Sequence, residues 1–474
     1  MPNKRIDSFV KEAYENFSSS FNEPFKAGSA VAGGHFGDEG KGKIVDILIR
    51  RYKALNYNII NYRGQGGGNA GHTVIDSETN NEYHFHYLPS GGLNSDIIFL
   101  GAGMLLDPLK VHEEAIVLPS DSAILVDERA TLSILMEREL DGYFEAVRKS
   151  KGIGIIGTTG SGVGTTVAHR ALRVHVTFKD VLNAGSPEEL CRLFKNTPQV
   201  PEEILKKVDL KYCKEVYEAV NGLNVVNSSV IFQNCKREGW AGVLEISQAF
   251  GLDMIHGNGG HYVTSTHTTI PGALADAGLT EQDIPDGGVI ITKAYASKVG
   301  SGPFITKFKD SGNEKKIAQY IYDNNGEKGV TTGRRRDLGW FDCVAVGEAL
   351  RKNGTKYLAI NCMDTLGCIP GSIAKICVAY KHKKTGVQIT YWPYNHNEYV
   401  PVYKNLAAAW NIKHATSERK LPLNAWEYIA TIEFYTGGKV KYIGTGASNR
   451  DIITIGEYGR EKIDTLKSFI NYKM

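Results

Sequence analysis

The residues best suited to bind a ligand or catalyse a reaction lie in a glycine-rich segment that runs from Gly33 to Lys43. Glycines carry no Cβ, so backbone amides can converge on an anion there, and a helix that follows directly presents its positive end to the same anion. From Gly37 onward the segment matches the Walker A pattern, except that Ile44 replaces the Ser or Thr that normally helps to hold magnesium. The segment therefore predicts a nucleotide phosphate site, but not that of a standard P-loop NTPase.

Asp38 adds a carboxylate beside the expected phosphates, and Lys41 and Lys43 add positive charge. A carboxylate in this position can bind magnesium or accept a proton from a substrate. The alternative is a plain glycine turn with solvated charges, because glycine patterns also occur by chance. Other segments of the chain distinguish between these two interpretations.

His72 lies near the end of a second glycine-rich segment, Gly67 to Thr73. A histidine is more often a structural hydrogen-bonder than a catalyst, but core packing explains little at a position between Gly71 and Thr73. A loop carboxylate and a histidine near a γ-phosphate are the base and the acid that phosphoryl transfer to a substrate oxygen requires. The two segments therefore predict Asp38 and His72 as a catalytic pair.

The composition is that of an ordinary soluble globular protein. The chain has 474 residues, 23% of them charged, and a net charge of +3, which gives no reason to expect nucleic acid or an anionic membrane as a partner. Its seven cysteines are scattered without a Cys-x-x-Cys pair, and no apolar run is long enough for a membrane helix. We therefore expect a cytoplasmic protein with reduced thiols.

Apolar runs between helical patterns predict an α/β fold with a P-loop-like, mixed but largely parallel central sheet flanked by helices, with helical and loop insertions. The runs that indicate buried strands are 29–34, 57–62, 96–100, 122–126, 242–246, 288–293, 357–361, 374–380 and 439–444. Helical patterns cover residues 43–50, 132–149 and 187–220. Residues 1–27 form an N-terminal extension, either a short helix or a loosely attached segment. Residues 28–474 form the main domain, in which 185–240 is either a helical insertion or a solvated helical face.

The two glycine-rich segments, in this order, resemble those of adenylosuccinate synthetase. The likeness covers nearly everything after about residue 29 and continues in residues 88–91, 156–160, 248–253, 263–265, 293–295, 299–304, 331–336, 339–340 and 401–403. The family joins L-aspartate to IMP and cleaves GTP, which gives adenylosuccinate, the precursor of AMP. The resemblance implies that Asp38 takes the N1 proton of the purine, that O6 attacks the γ-phosphate, and that His72 acts as the acid.

The same resemblance implies the remaining site residues. Lys41, which would meet the transferring phosphate, and Gln248, which would contact the purine, would be further catalytic residues, and Asp38 with the carbonyl of Gly71 would hold Mg²⁺. The positions that match GTP contacts are Gly37, Glu39, Gly40, Gly42, Lys43, Thr73, Asp364, Gly444 and Gly446. Those that match IMP contacts are Asn69, Thr158, Thr159, His169, Arg170, Gln248, Thr264 and Val299. Thr331, Thr332, Arg334 and Arg336 match the segment that grips aspartate, where guanidinium groups suit a dicarboxylate.

The chain departs from the family pattern in several places. Cys362 stands where the family has the lysine that lies along guanine, although Asp364 is kept and can accept from the guanine N–H groups. His35-Phe36, Gly68, the stretch 161–165, the residues around Gln248 and the stretch 444–450 also differ from the family pattern. The family is a homodimer in which an arginine reaches the substrate phosphate of the other subunit. That arginine aligns with His169 or Arg170, and the sequence does not choose between them.

Three functions follow from these observations. The leading one is an IMP–aspartate ligase that uses GTP. The second is a related ligase that aminates GMP or dGMP, or that uses ATP, as the altered segments around Gln248 and Cys362 allow. Phage-type enzymes of that kind typically lack the loop aspartate, so Asp38 counts against it. The third is a nucleotide-binding protein without catalysis, which the intact Asp38, Lys41 and His72 disfavour.

Overall fold

The computed structural model describes residues 4–75, 81–118, 122–153, 156–257, 260–329 and 333–472. The strands are β1 (Ala27–Gly33), β2 (Ile59–Gly66), β3 (His72–Ile75), β4 (Glu82–Phe85), β5 (Ile97–Leu106), β6 (Ala123–Asp127), β7 (Thr131–Leu132), β8 (Asn224–Val226), β9 (Ala241–Ala249), β10 (Gly288–Lys293), β11 (Ala296–Lys298), β12 (Asp337–Gly339), β13 (Phe341–Asp342), β14 (Tyr357–Asn361), β15 (Ile373–His382), β16 (Gln388–Ile389), β17 (Tyr399–Ala407), β18 (Lys439–Gly444) and β19 (Ile452–Thr454). The α-helices are α1 (Lys4–Glu15), α2 (Lys41–Ala54), α3 (Pro108–Ala115), α4 (Leu135–Ser150), α5 (Val163–Leu172), α6 (Phe178–Ala184), α7 (Pro187–Lys195), α8 (Glu202–Leu205), α9 (Leu210–Asn221), α10 (Ser228–Arg237), α11 (Ile270–Ala277), α12 (Gly312–Asn325), α13 (Cys343–Lys352), α14 (Met363–Leu366), α15 (Leu423–Thr436) and α16 (Glu457–Tyr472).

The main sheet has the strand order β19-β18-β14-β10-β1-β9-β2-β5-β6-β8, with β7 paired to β5. Every neighbouring pair in it is parallel except β18 and β19, so the predicted mixed, largely parallel sheet is confirmed. Strand β1 is central and alternates between two cores: Ala30 and Ala32 face one, and Val31 faces the other. A strand that is buried on both faces tends to have a continuous apolar sequence. This is why the sequence of β1 predicts a buried strand.

Parallel strands bring the candidate site together. Strands β18, β14, β10, β1, β9 and β2 all run in the same direction, so their carboxyl ends meet at one edge of the sheet. The phosphate segment follows β1, the second glycine-rich segment follows β2, and Gln248 lies near the end of β9. The carboxyl edge of an α/β sheet is the usual place for a ligand site.

Helix α2 carries the phosphate segment on its amino end. Ile44, Leu48 and Ile49 are buried in the core that also contains Val31, as the predicted apolar stripe requires. The helix therefore docks on the sheet directly beside β1, which fixes its amino end over the carboxyl edge of the sheet.

Two predicted elements differ in detail. The apolar run 374–380 forms β15, but β15 belongs to a separate four-stranded sheet with β13, β16 and β17. The helical stretch 187–220 is broken into α7, α8 and α9: Pro198 and Pro201 separate α7 from α8, and Asp209 caps the new start at α9. A proline removes a backbone donor and restricts the residue before it, so a continuous helix was the wrong prediction there.

Residues 185–240 contribute to the interior of the protein. Leu190, Phe194 and Val216, on α7 and α9, are buried in a second core beneath the β5 and β6 end of the sheet. Strand β8, which follows them, extends the main sheet beside β6. The segment's inner face is thus apolar and its outer face carries the charges.

The N-terminal extension is a helix docked on the main domain. Ile6 and Ala13 of α1 are buried, and the Phe9 ring lies 5.4 Å from the ring of Trp240, between centroids. The hydroxyl of Tyr14 accepts a hydrogen bond from the backbone N–H of Asn227 at 3.0 Å. Across the described ranges, every helix is too short or too polar to pass through a lipid bilayer.

Candidate active site

The phosphate segment is a tight loop that the side-chain carboxylate of Glu39 closes by hydrogen bonds to the backbone. Gly37, Asp38 and Gly40 have φ values of 92°, 55° and 83°, and α2 begins directly after Gly40 without a side-chain cap. Glu39 Oε1 accepts from the backbone N–H groups of His35 at 2.7 Å and Gly37 at 3.3 Å. The side chain of Glu39 therefore shapes the loop from beneath, and burial raises its pKa. The uncapped amino end of α2 remains available for an anion.

A cavity of about 800 Å³ lies over this loop. The predicted site residues that line it are Gly37, Asp38, Glu39, Gly40, Lys41, Gly42, Lys43, Asn69, Gly71, His72, Thr73, Thr158, Thr159, Gln248, Thr264, Val299, Arg334, Arg336 and Gly446. Asp364, Gly444, His169 and Arg170 do not line it. Thr331 and Thr332 lie outside the described residues. Most of the predicted set, drawn from segments far apart in the chain, thus meets at one cavity.

His72 lies at the start of β3 with its Nε2 atom 2.7 Å from the carbonyl oxygen of Leu88. A carbonyl can only accept, so Nε2 carries a proton and Nδ1 is the nitrogen left for another partner. Burial lowers the pKa of His72 and outweighs the opposing effect of the nearby Glu245 carboxylate. The imidazole of the free protein is therefore neutral near neutral pH.

Asp38 is paired with Arg336 across the cavity. Arg336 donates to Asp38 Oδ2 from Nε at 3.0 Å and from Nη2 at 2.7 Å. Its Nη1 atom donates to Glu327 Oε2 at 2.6 Å. The candidate base and a candidate aspartate-binding arginine are thus direct neighbours, although 298 residues separate them in the chain.

Gln248 connects the phosphate loop to the second glycine-rich segment. Lys41 Nζ donates to the carbonyl oxygen of Gln248 at 2.8 Å, and Gln248 Nε2 donates to the carbonyl oxygen of Asn69 at 3.1 Å. Asn69 Nδ2 in turn donates to Thr264 Oγ1 at 3.2 Å. These bonds hold three segments of the predicted purine site together, so Gln248 has a structural part as well as its predicted contact with the purine.

Lys43 contacts a different segment from Lys41, although both lysines line the cavity. Its Nζ donates to the carbonyl oxygens of Gly446 at 2.9 Å and Asp451 at 2.6 Å, and burial lowers its pKa. The same region includes Gly444, which packs so tightly on Asn361 that a Cβ would lie 2.3 Å from Asn361 Oδ1. Asn361 Nδ2 donates to the carbonyl oxygen of Glu39 at 2.7 Å. These contacts fix the segments around Asn361 and Gly444 against the phosphate loop.

The three arginines at positions 334–336 make different contacts. Arg334 donates to the carbonyl oxygens of Gly157 and Thr158 at 3.0 and 3.2 Å, beside the cavity. Arg335 stacks on the ring of Tyr322 with its guanidinium carbon 3.4 Å from the ring centroid. Arg334 and Arg336 therefore line the cavity and Arg335 does not, and their contact with L-aspartate stays a prediction.

His169 and Arg170 are both engaged within their own chain. His169 is buried, with Nδ1 at 3.0 Å from Glu137 Oε1. Arg170 donates to Thr131 Oγ1 at 2.7 and 3.0 Å and to the carbonyl oxygen of Ala102 at 2.8 Å. A contact from either residue to a nucleotide in another subunit stays a prediction.

Sequence reasoning missed four charged residues that line or support the cavity: Arg63, Glu245, Lys293 and Glu327. Glu245 accepts from Ser90 at 2.6 and 2.8 Å and lies near His72. The sequence contains one indication of these residues. Lys293 ends an otherwise apolar strand, and a buried cation there requires a buried anion as its partner. Nothing in the sequence points to the partner, Glu327.

The fold and the cavity are typical of one class of protein, the α/β enzymes that bind a nucleotide at a phosphate loop, and Asp38 and His72 line that cavity as the candidate base and acid. The family model described as adenylosuccinate synthetase matches residues 30–453. Adenylosuccinate synthetases from Caldicellulosiruptor saccharolyticus and Desulforamulus reducens are 32% and 33% identical, and each alignment covers 90% of this chain and 98% of the relative. The chain belongs to the adenylosuccinate synthetase family.

Solved structures agree with this assignment. The fully ligated adenylosuccinate synthetase from Plasmodium falciparum superposes with a TM-score of 0.79 at 25% identity, over 90% of this chain and 99% of that one. The succinoaminodeoxyadenylate synthetase of cyanophage S-2L, bound to dGMP and dATP, has a TM-score of 0.57 at 18% identity, over 94% and 99%, and shares the fold alone. The predicted family, its fold class and its activity as a GTP-dependent IMP–aspartate ligase of purine biosynthesis are confirmed.

Proposed function

We propose that this cavity makes adenylosuccinate in two steps and that Asp38 and His72 carry the first. In that step the Asp38 carboxylate removes the N1 proton of IMP, O6 attacks the γ-phosphorus of GTP, and the bond to the β–γ bridging oxygen breaks to release GDP. In the second step the amino nitrogen of L-aspartate attacks C6 and loses a proton, while the C6–O6 bond breaks and phosphate leaves. Phosphorylation is needed because a purine oxygen is otherwise a poor leaving group.

The observation that carries this proposal is the common cavity of Asp38, Lys41, His72 and Arg336. A base, a phosphate-binding cation, a histidine that can donate, and a guanidinium for a carboxylate are the groups that the two steps require. Arg336 bonds Asp38 through Oδ2 alone, so the proton of IMP would pass to Oδ1 of the same carboxylate, or to Oδ2 once Arg336 has moved away.

Mg²⁺ fits the donors present. Asp38 and Gly71 both line the cavity, and a carboxylate oxygen of the first with the backbone carbonyl of the second would hold the ion. Within the described ranges there is no cluster of three or more His, Cys, Asp or Glu residues suited to a metal. This agrees with Mg²⁺, which is commonly bound through one or two protein oxygens together with substrate phosphates. When bound, Mg²⁺ would offset the negative charge of the triphosphate.

A homodimer is part of the proposal. Phe144 and Ala168 line the cavity, and Tyr143, Phe144 and Leu172 are large apolar residues exposed on the adjoining surface of α4 and α5. Exposed apolar side chains clustered near a cavity are typical of a surface that another chain covers. Light scattering of the purified protein should give twice the monomer mass.

We also infer a cytoplasmic location, in keeping with seven free cysteines.

The experiment that tests the proposed function is a product assay with purified protein, Mg²⁺ and L-aspartate. IMP with GTP should give adenylosuccinate, followed by its ultraviolet absorbance. Product from GMP or dGMP with none from IMP would overturn the assignment of IMP as substrate. A faster reaction with ATP than with GTP would overturn GTP as the donor.

Asp364 provides a prediction about the choice of triphosphate. It is half-buried near Lys43, and burial raises its pKa against the opposing charges of Lys43 and Lys413. If Asp364 accepts from guanine N–H groups, Asp364→Ala should raise the KM for GTP by roughly 10- to 100-fold, the usual size of a lost bond to a charged group. Adenine lacks these donors, so the KM for ATP should change little. An unchanged ratio of the two KM values would contradict the assignment.

His72 provides a prediction about protons. Because burial lowers its pKa, the neutral form dominates near neutral pH in the free protein. A bound triphosphate favours the protonated form, whose Nδ1–H can then donate, so GTP binding should take up about one proton. The uptake should appear at pH values between the lowered pKa of the free form and the raised pKa of the complex. Titration calorimetry in buffers of different ionisation enthalpy measures it, and equal uptake by His72→Asn would contradict the prediction.

A further inference from the structure

Beneath Arg336 lies a buried carboxylate, Glu327, to which the two steps above assign no part. Only 1% of its side chain is exposed. It accepts from Lys293 Nζ at 2.7 and 2.8 Å, from Arg336 Nη1 at 2.6 Å and from the Tyr295 hydroxyl at 2.5 Å. Burial alone would raise the pKa of Glu327, but Lys293 and Arg336 more than offset it, so the pKa is lowered. Glu327 is thus an ionised group with a full set of donors.

Glu327 and Arg336 are paired through the backbone as well. The N–H of Arg336 donates to the carbonyl oxygen of Glu327 at 3.0 Å, and the N–H of Gly329 donates to the carbonyl oxygen of Arg334 at 2.8 Å. These bonds join the two arms of the segment that contains both cavity-lining arginines. Arg336 is therefore fixed at its backbone and at its Nη1 atom by the same residue.

This arrangement leaves one edge of the Arg336 guanidinium to face the cavity. Nε and Nη2 form that edge, and both donate to Asp38 Oδ2. The same kind of edge binds a carboxylate through parallel hydrogen bonds. In this structure Asp38 therefore occupies the edge of Arg336 that a substrate carboxylate needs.

The support for Glu327 is rigid. Lys293 ends β10, a strand in the middle of the main sheet. Tyr295 is buried, and its hydroxyl also accepts from Asn325 Nδ2 at 2.7 Å. Asn325 Oδ1 accepts from Thr365 Oγ1 at 2.9 Å, next to the predicted base-binding Asp364. A group held in this way can keep another side chain in one orientation while that side chain changes partners.

We propose that Glu327 is a positioning residue that holds Arg336 in place while its Nε and Nη2 edge passes from Asp38 to a carboxylate of the L-aspartate substrate. The exchange frees Oδ2 of Asp38, so binding of the amino acid changes the hydrogen bonding of the proposed base. The inference rests on the proposed function, because it assumes that Arg336 receives L-aspartate.

The test uses Glu327→Gln, which keeps the shape but replaces the anion by a group that presents an amide donor to two cations. The KM for L-aspartate should rise by roughly 10- to 100-fold, whereas the KM values for IMP and GTP should stay within about threefold. Glu314→Gln is the matched control. Glu314 is also a buried carboxylate, bonded to Lys375 at 2.8 Å and to Trp340 at 2.9 Å, but it does not line the cavity.

Thermal unfolding of both variants separates positioning from general destabilisation. An unchanged KM for L-aspartate in folded Glu327→Gln, or the same change in Glu314→Gln, would overturn the inference. If Glu327→Gln does not fold, Glu327→Asp replaces it, and an unchanged KM for L-aspartate in that variant would overturn the inference equally. Wild-type protein that makes no adenylosuccinate would overturn the proposed function itself, whereas active wild type with an unaffected Glu327 variant overturns only the inference.

Discussion

Asp38→Asn should lower kcat for adenylosuccinate formation by about 10³-fold, within the usual range for loss of a general base. The amide keeps the size of the side chain but cannot remove the N1 proton of IMP. The KM for GTP should change little, because the backbone of the phosphate loop is retained. The KM for L-aspartate should not rise, because the neutral amide no longer competes as an anion for Arg336. Steady-state kinetics with each substrate varied in turn measure these values.

Asp337→Asn is the control for this substitution. Asp337 follows Arg336 in the chain and pairs with Lys307 at 2.9 Å, with a partly exposed side chain. It undergoes the same loss of charge without a place in the cavity. A near-normal kcat in Asp38→Asn would remove Asp38 as the base, and an equal loss in Asp337→Asn would make the effect non-specific.

His72→Ala should lower kcat by about 10²- to 10³-fold, the usual result of removing one preorganised donor to developing charge. The bond from Nε2 to the Leu88 carbonyl fixes the ring so that Nδ1 is the atom left to meet the phosphates. His72→Asn should recover part of the rate, because its amide can donate, but it should lose the pH dependence that comes from protonation. The measurement is kcat against pH for the three proteins.

His84→Asn is the control for the histidine. His84 lies opposite Thr73 in the β3–β4 hairpin with its ring exposed. His84 does not itself line the cavity, but its Nδ1 atom lies 3.1 Å from Oγ1 of Thr73, which does, so this variant measures any effect transmitted through the hairpin. A kcat in His72→Ala close to wild type would show that the transfer does not use this ring.

Local signals predicted the parts of the site that one segment can specify. The glycines, Asp38 and Lys41 lie on a single strand–loop–helix unit, so their spacing favours a phosphate site, and the second glycine-rich segment decides against a plain glycine turn. The buried strands of the main sheet were also clear, because strands covered on both faces are continuously apolar. The same signal could not assign β15 to a second sheet, since apolar content does not encode which strands pair.

Contacts between distant segments could not be predicted from spacing. The Asp38–Arg336 pair joins positions 298 residues apart, and the Lys293–Glu327 pair joins two segments that only the folded chain brings together. The resemblance to the family identified Arg336 as a site residue but gave no indication of Glu327. Glu327 lies in no recognised motif, and its proposed part is to position Arg336. Predicting such a residue requires the principle that a buried cation must be paired, together with the coordinates of its surroundings.

The central claim is that O6 of IMP is phosphorylated before L-aspartate displaces it. IMP labelled with oxygen-18 at position 6 tests this claim directly, because the C6–O6 bond breaks only when phosphate leaves. Mass spectrometry of the products formed with GTP, Mg²⁺ and L-aspartate should find one oxygen-18 atom in each phosphate released. Unlabelled phosphate, released while adenylosuccinate accumulates, would contradict the mechanism.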